Sequence, residues 1–141
     1  SSPWESKAAG LYMICTLSKH EAEKNGYTDS LMLDHEGNIA EATSANIFFK
    51  DKNDELHTPI PDSFLDGITR KTVIDLAKSK NIKIHERKIS PKELPNFKGC
   101  FITGTAAEVT PVGNILDNSF EVCELIKDLS SRYEKLVGKN N

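Results

Sequence analysis

The 141-residue sequence predicts one α+β domain built on a mixed sheet. Three observations carry this. Apolar residues recur at helical spacing near residues 68–80 and again from 122 to 136. Short apolar or alternating runs at 29–34, 45–49, 98–104 and 106–112 read as strands, bounded by Gly, Asn and Asp turns. Hairpin signals also stand beside strand–helix–strand stretches, which a clean doubly wound sheet would not give.

The elements follow in order. Leu11, Ile14 and Leu17 lie at helical spacing, so residues 9–25 are predicted as a helix closed by Gly26. "DSLMLD" (29–34) reads as a buried strand, "HEGN" as a turn with Gly37 free to take positive φ, and "IAEA" (39–42) as a short extended piece. "ANIFF" (45–49) and "ELHTP" (55–59) flank the polar "KDKND" as a hairpin. Pro59 and Pro61 stiffen a loop into a helix from Ile68 to Lys80, with Val73, Leu76 and Ala77 on one face. "NIKIHERKI" (81–89) alternates with period two and reads as a half-buried strand. Two more strands surround the Gly104-Thr105 turn, and Val122, Leu125, Ile126, Leu129, Tyr133 and Leu136 form the stripe of a final helix.

Composition narrows the function. Apolar residues make up 38% and charged residues 28%, the balance of a globular chain rather than a disordered one. The net charge of −3 is spread over both signs, so no basic stripe points to nucleic acid. No apolar stretch approaches the roughly 18 residues of a membrane span. Cys15, Cys100 and Cys123 are odd in number and widely spaced, and His20, His35, His57 and His85 share no ligand spacing. Neither a disulfide framework nor a metal site is expected, and a reducing cytoplasm is. The start without methionine leads us to expect a segment of a longer protein.

Four stretches could carry chemistry, each with an ordinary reading beside it. Lys7 precedes Ala8-Ala9-Gly10, with Tyr12 close behind. A desolvated amine there would be a nucleophile toward a carbonyl, while an exposed terminal lysine is the plain alternative. Glu41 sits in an apolar extended stretch, where it either faces solvent at a sheet edge or meets a cation such as a protonated ring nitrogen. In "FLDGITRKT" a helix opens after Asp66-Gly67, and its first N–H groups suit a phosphate, with Thr69 adding a hydroxyl. Capping of those groups by Asp66 is the competing reading. "ITGTAAEVTPV" places small residues at a turn, either a nest for a carboxylate or phosphate or a tight strand connection.

In this order and spacing, "SKAAGLY", "GYTDSLMLD…GNIAEATSANIFF", "FLDGITR" and "FITGTAAEVTPV" resemble the C-terminal half of the fold-type IV pyridoxal-phosphate aminotransferases, most of all the branched-chain amino acid aminotransferases. The resemblance implies a barrel-like mixed sheet, residues 1–141 forming the cofactor-binding domain, and an N-terminal domain elsewhere in a homodimer or larger assembly. It implies transfer of the amino group of leucine, isoleucine or valine to 2-oxoglutarate, with pyridoxal 5'-phosphate as cofactor. It further implies that Lys7 forms the Schiff base and shuttles a proton between the α-carbon and C4′. By the same resemblance Tyr12 bonds the phenolic oxygen, Glu41 pairs with the pyridine nitrogen and Leu65 packs on the ring. Gly67, Ile68, Thr69 and Thr105 hold the phosphate, while Thr105 and Ala106 hold the substrate carboxylate. Many branched-chain enzymes carry a second glutamate where this chain has Ala45, and an asparagine where it has Leu11. Aminodeoxychorismate lyase and D-amino acid aminotransferase, which also lack that glutamate, are the alternatives within the fold. A non-catalytic binding or oligomerisation module is the alternative outside it.

Overall fold

The computed structural model describes residues 7–18, 24–42, 45–61, 67–105 and 107–138. Strands β1 (Lys7–Leu17), β2 (Lys24–Asp34), β3 (Ile39–Ala42), β4 (Asn46–Lys50) and β5 (Leu56–Thr58) lead into helix α1 (Ile68–Ser79). Strand β6 (Ile84–Glu86), a 3₁₀ turn (Pro91–Asn96), β7 (Gly99–Gly104), β8 (Glu108–Ile115), β9 (Asn118–Ser119) and α2 (Glu124–Leu136) follow.

Nine strands among the described residues join in the order β3-β2-β1-β8-β7-β4-β5-β6, with β9 on β8. Every pairing is antiparallel except β5 with β6, so the sheet is mixed, as the hairpin and crossover signals predict. The sheet also curls back on itself. An antiparallel bridge between Ala42 and Ala45 joins the end of β3 to the start of β4, and β5 and β6 extend past this partial barrel. The unit β5–α1–β6 is a parallel crossover, which sets the start of α1 beyond the carboxyl end of β5.

Alternation along the central strands divides two cores. Ile47, Phe49, Cys100 and Ile102 join one cluster with Ile14, Leu31 and Val112. Their neighbours Phe48 and Phe101 turn the other way, stack at 4.9 Å, and meet Val73, Ala77, Ile126 and Leu129 of the two helices. The helices run antiparallel, since Thr69 reaches Tyr133 while Lys80 pairs with Asp128. The close approach of α2 to the sheet needs Gly99. A Cβ there would stand 2.7 Å from Cys123 Sγ and 2.9 Å from Ile126 Cδ1. Gly99→Ala is therefore expected to cost about 1–3 kcal/mol of stability, read as a lower urea midpoint.

The predicted elements from 29 to 80 and from 98 to 112 are present, and Gly37 takes φ +84° in the turn after β2. Residues 9–25 differ: β1 occupies most of that stretch as a strand, and 19–23 lie outside the described residues. The reason is bulging. Strand β1 changes register against β2 between Ala8 and Tyr12, at Ile14/Cys15 and at Cys15/Leu17, and its residues 14–17 are all buried, so no alternation with period two marks it as a strand. Gly26, expected to end that helix, instead sits within β2 at φ +82°. The strand expected over 81–89 contracts to Ile84–Glu86, because Asn81 takes φ +61° and the chain leaves β6 for the 3₁₀ turn. Helix α2 begins at Glu124, after Val122, and its Leu136 is exposed.

The 3₁₀ turn is held by a capping box that the "SPKE" spacing encodes. Glu93 accepts from the Ser90 N–H at 2.9 Å and from Arg87 Nη2 at 2.6 Å. The Arg87 hydrogen bond, outweighing partial burial, holds the Glu93 carboxyl below its ordinary pKa. A depressed carboxylate stabilises above its unfolded pKa and loses that contribution as pH falls through its folded value. Glu93→Gln is thus expected to lower the denaturant midpoint at neutral pH and to flatten its decline toward acid.

Candidate active site

One rim of the curled sheet gathers three of the four sequence stretches. Strand β3 ends there with Glu41 and Ala42, and the Ala42–Ala45 bridge brings in the start of β4. Asn46 pairs with Thr103, so the end of β7 and the turn at Thr105 lie at the same rim. Thr58 at the end of β5 donates its hydroxyl to the Ile47 carbonyl at 2.7 Å, and Arg70 of α1 reaches the carbonyl of Pro59, so the first turn of α1 lies beyond that end of β5.

Gly67 is the N-cap of α1 and brings no capping side chain of its own, and no acidic residue occupies the first turn. The Lys71 N–H bonds the Gly67 carbonyl at 3.2 Å, and the N–H groups of Ile68 and Thr69 stand ahead of it at the helix start. Among the described residues no atom lies within 4 Å of the position a Gly67 Cβ would take. The helix start carries partial positive charge. Asp66, the residue expected to compete for these groups, lies outside the described residues, as do Leu65 and Ala106.

The side chains of the first turn divide cleanly. Ile68 is 86% exposed, whereas Thr69 and Arg70 are 8% and 3% exposed. Thr69 Oγ1 lies 3.4 Å from Tyr133 Oη of α2, so the threonine hydroxyl expected as a phosphate donor is engaged inside the protein. Arg70 Nη2 donates to Glu86 Oε1 at 2.6 Å and to the Pro59 carbonyl at 3.5 Å. Sequence reasoning passed over Arg70, Glu86 and Tyr133. The signal for Arg70 was available: a cation in the first helical turn opposes the helix dipole and calls for a reason.

Glu41 is 7% exposed on β3, opposite Met32 of β2. It is a buried carboxylate rather than the solvent-facing sheet-edge glutamate of the ordinary reading. Tyr12 shares a row with Leu31 and Ala42 and packs against the first core cluster. Lys7 opens β1 opposite Asp34, two residues along β2 from the partner of Glu41. Lys7 and Glu41 thus lie on the two strands that flank β2, two residues apart along it. The β1–β8 ladder, which joins Ile14–Thr16 to 112–115, does not itself pair Lys7 with the Thr105 turn. That turn is shaped by Glu108 at φ +52° and by the Thr110 hydroxyl, which donates to the Ala107 carbonyl.

Elsewhere, His57 and His85 stack at 4.6 Å and pair with Asp51 and Glu55, each at 2.7 Å. Among the described residues no group of His, Cys, Asp and Glu could hold a metal ion, and no helix is long and apolar enough to cross a membrane. A cavity of about 740 Å³ lies at the other end of α1, lined by Asp54, Lys80, Asn81 and Asp128, away from every sequence motif.

Rim, sheet and helix start together define a class. Residues 2–115 match the family described as "Amino-transferase class IV", and the chain belongs to that family. Among curated proteins it is 44% identical over 142 residues to the "Probable branched-chain-amino-acid aminotransferase" of Rickettsia felis, covering 97% of this chain and 48% of that protein. Among solved structures it is similar to the branched-chain aminotransferase of Thermoproteus uzoniensis with norvaline, at 35% identity and a TM-score of 0.74, over 82% of this chain and 39% of that one. It is also similar to the branched-chain amino acid aminotransferase of Thermobaculum terrenum in its PLP form, at 33% identity and a TM-score of 0.72, with the same coverage of 82% and 39%. The chain spans about half the length of the curated relatives it matches. These likenesses give the fold as the fold-type IV aminotransferase fold.

Proposed function

We propose that this chain is the cofactor-binding part of a branched-chain aminotransferase. The whole protein moves the amino group of leucine, isoleucine or valine to 2-oxoglutarate with pyridoxal 5'-phosphate. In this reading residues 1–141 form one C-terminal domain, which a separate N-terminal domain and a second copy complete in the cytoplasm. The observation that carries the reading is buried Glu41 at the rim that also holds the Thr105 turn, with the start of α1 beyond the carboxyl end of β5, in a chain of the class IV family.

These residues fit the cofactor's chemistry. A phosphate calls for N–H donors and partial positive charge, and the helix start carries both. A protonated ring nitrogen calls for a buried carboxylate, and Glu41 is one. When bound, pyridoxal phosphate supplies an electron sink that acidifies the substrate α-carbon.

Within this reading the N–H groups of Ile68 and Thr69 hold the phosphate, with Gly67 giving access and Thr105 adding a contact. Glu41 keeps the ring nitrogen protonated, Tyr12 donates to the phenolic oxygen and Leu65 covers the ring face. Thr105 and Ala106 orient the substrate carboxylate. Lys7 would be the amine that holds the cofactor's aldehyde and, once the substrate amine has replaced it there, the freed base that accepts the α-carbon proton.

Ala45 and Leu11 depart from many branched-chain enzymes and favour testing the lyase and D-amino acid readings beside this one. The test is the visible absorbance of the whole protein with pyridoxal phosphate on adding L-leucine, D-alanine or aminodeoxychorismate. L-leucine is expected to bleach the cofactor band fastest. Faster bleaching by either of the others would replace the branched-chain assignment.

A further inference from the structure

Arg70 is a cation in the wrong place for an ordinary helix. It lies in the first turn of α1, where the dipole favours anions, and it is 3% exposed, where an ion is costly to hold. On an exposed helix face its long side chain would reach water at little cost. Instead it runs inward and meets two elements. Its Nη2 donates to Glu86 Oε1 of β6 at 2.6 Å and to the carbonyl of Pro59, the residue after β5, at 3.5 Å.

The two strands are joined at that point. Thr58 pairs with Glu86 in the parallel ladder, and the Arg87 N–H bonds the Thr58 carbonyl at 3.0 Å. Arg70 therefore crosses the carboxyl ends of β5 and β6 and ties them to the helix that connects them. On the other side Thr69 reaches Tyr133 of α2 at 3.4 Å. Two consecutive buried side chains thus anchor the first turn on both flanks, at the helix start where the N–H groups of Ile68 and Thr69 stand.

We propose that Arg70, through its contact with Glu86, is a positioning residue that fixes the start of α1 for binding the cofactor's phosphate. The inference rests on the cofactor reading above. Oriented N–H donors act strongly on an anion only when held in place, because a frayed first turn must be ordered on binding. The planar guanidinium meets a carboxylate and a carbonyl from a rigid stem, which a lysine ammonium does not reproduce. The role belongs to the geometry of the fork and not to its charge alone.

The test compares two ligands on the whole protein: pyridoxal phosphate and pyridoxal, the same aldehyde without the phosphate. Arg70→Lys and Glu86→Asp each keep the charge and break the contact, and Glu86, 49% exposed at its side chain, tolerates the change without loss of the fold. Dissociation constants are read from cofactor absorbance, with folding checked by circular dichroism. Both variants are expected to lower the preference for pyridoxal phosphate over pyridoxal by about tenfold, the scale of a displaced charge-assisted hydrogen bond. A role in general stability alone would weaken both ligands equally and leave that ratio fixed. If Arg70→Lys fails to fold, Glu86→Asp decides: a lowered ratio supports the role, and an unchanged ratio overturns it. A wild-type protein that shows no Lys7-dependent binding of either aldehyde would overturn the cofactor reading and this inference together. Binding in the wild type with an unmoved ratio in the variants overturns the Arg70 role alone.

Discussion

Lys7→Ala is expected to abolish the cofactor's covalent absorbance and to reduce transamination by about 10⁴-fold or more, the upper range for losing a nucleophile that also transfers a proton. Three other described lysines are held in ion pairs. Lys50 is buried but engaged with Asp54 at 2.7 Å, Lys80 pairs with Asp128, and Lys88 pairs with Glu36 at 3.0 Å. Lys52, exposed in the β4–β5 turn, is the matched control, and Lys52→Ala should leave both readouts intact. A Lys7→Ala protein that retained the band would move the covalent role to another amine.

Glu41→Gln is expected to keep the cofactor attached while slowing turnover by about 10²- to 10³-fold. The side chain is 7% exposed, so its charge belongs to the interior of the rim. Removing one partner of a buried ion pair costs about 3–5 kcal/mol, and each 1.4 kcal/mol is about tenfold. An amide of the same shape fills the space but cannot keep a ring nitrogen protonated. The effect should fall on the proton-transfer step and not on substrate affinity, which single-turnover measurements with L-leucine separate. Equal turnover in the variant would return Glu41 to an ordinary buried polar role.

Much of this molecule is legible in its sequence because local rules and tertiary packing agree. Val73 and Ala77 fall on the buried face that their spacing predicts, and Ile47, Phe48 and Phe49 alternate between two cores as strand residues should. The stretch from 9 to 25 misleads because bulges in β1 break the period of two. No local signal says that a strand will be bulged, and pairing with β2 and β8 decides the outcome.

The candidate site was legible as motifs and not as an arrangement. "FLDGITR" reads as an anion-binding helix start, and α1 does open directly after Gly67. Nothing in the sequence shows that Glu41 will be buried, or that Thr69 will turn its hydroxyl to Tyr133, 64 residues away. Those facts come from the curl of the sheet and from the antiparallel helix pair. Arg70 is the intermediate case: its position was readable as an anomaly, and only Glu86 and Pro59 give it a purpose.

The most direct measurement is borohydride reduction of the whole protein with pyridoxal phosphate, followed by peptide mass mapping. The expected result is the reduced cofactor on the peptide that contains Lys7, with no label in Lys7→Ala. Label on a different lysine, or none on any peptide, would contradict the assignment of this chain as the cofactor-binding part of an aminotransferase.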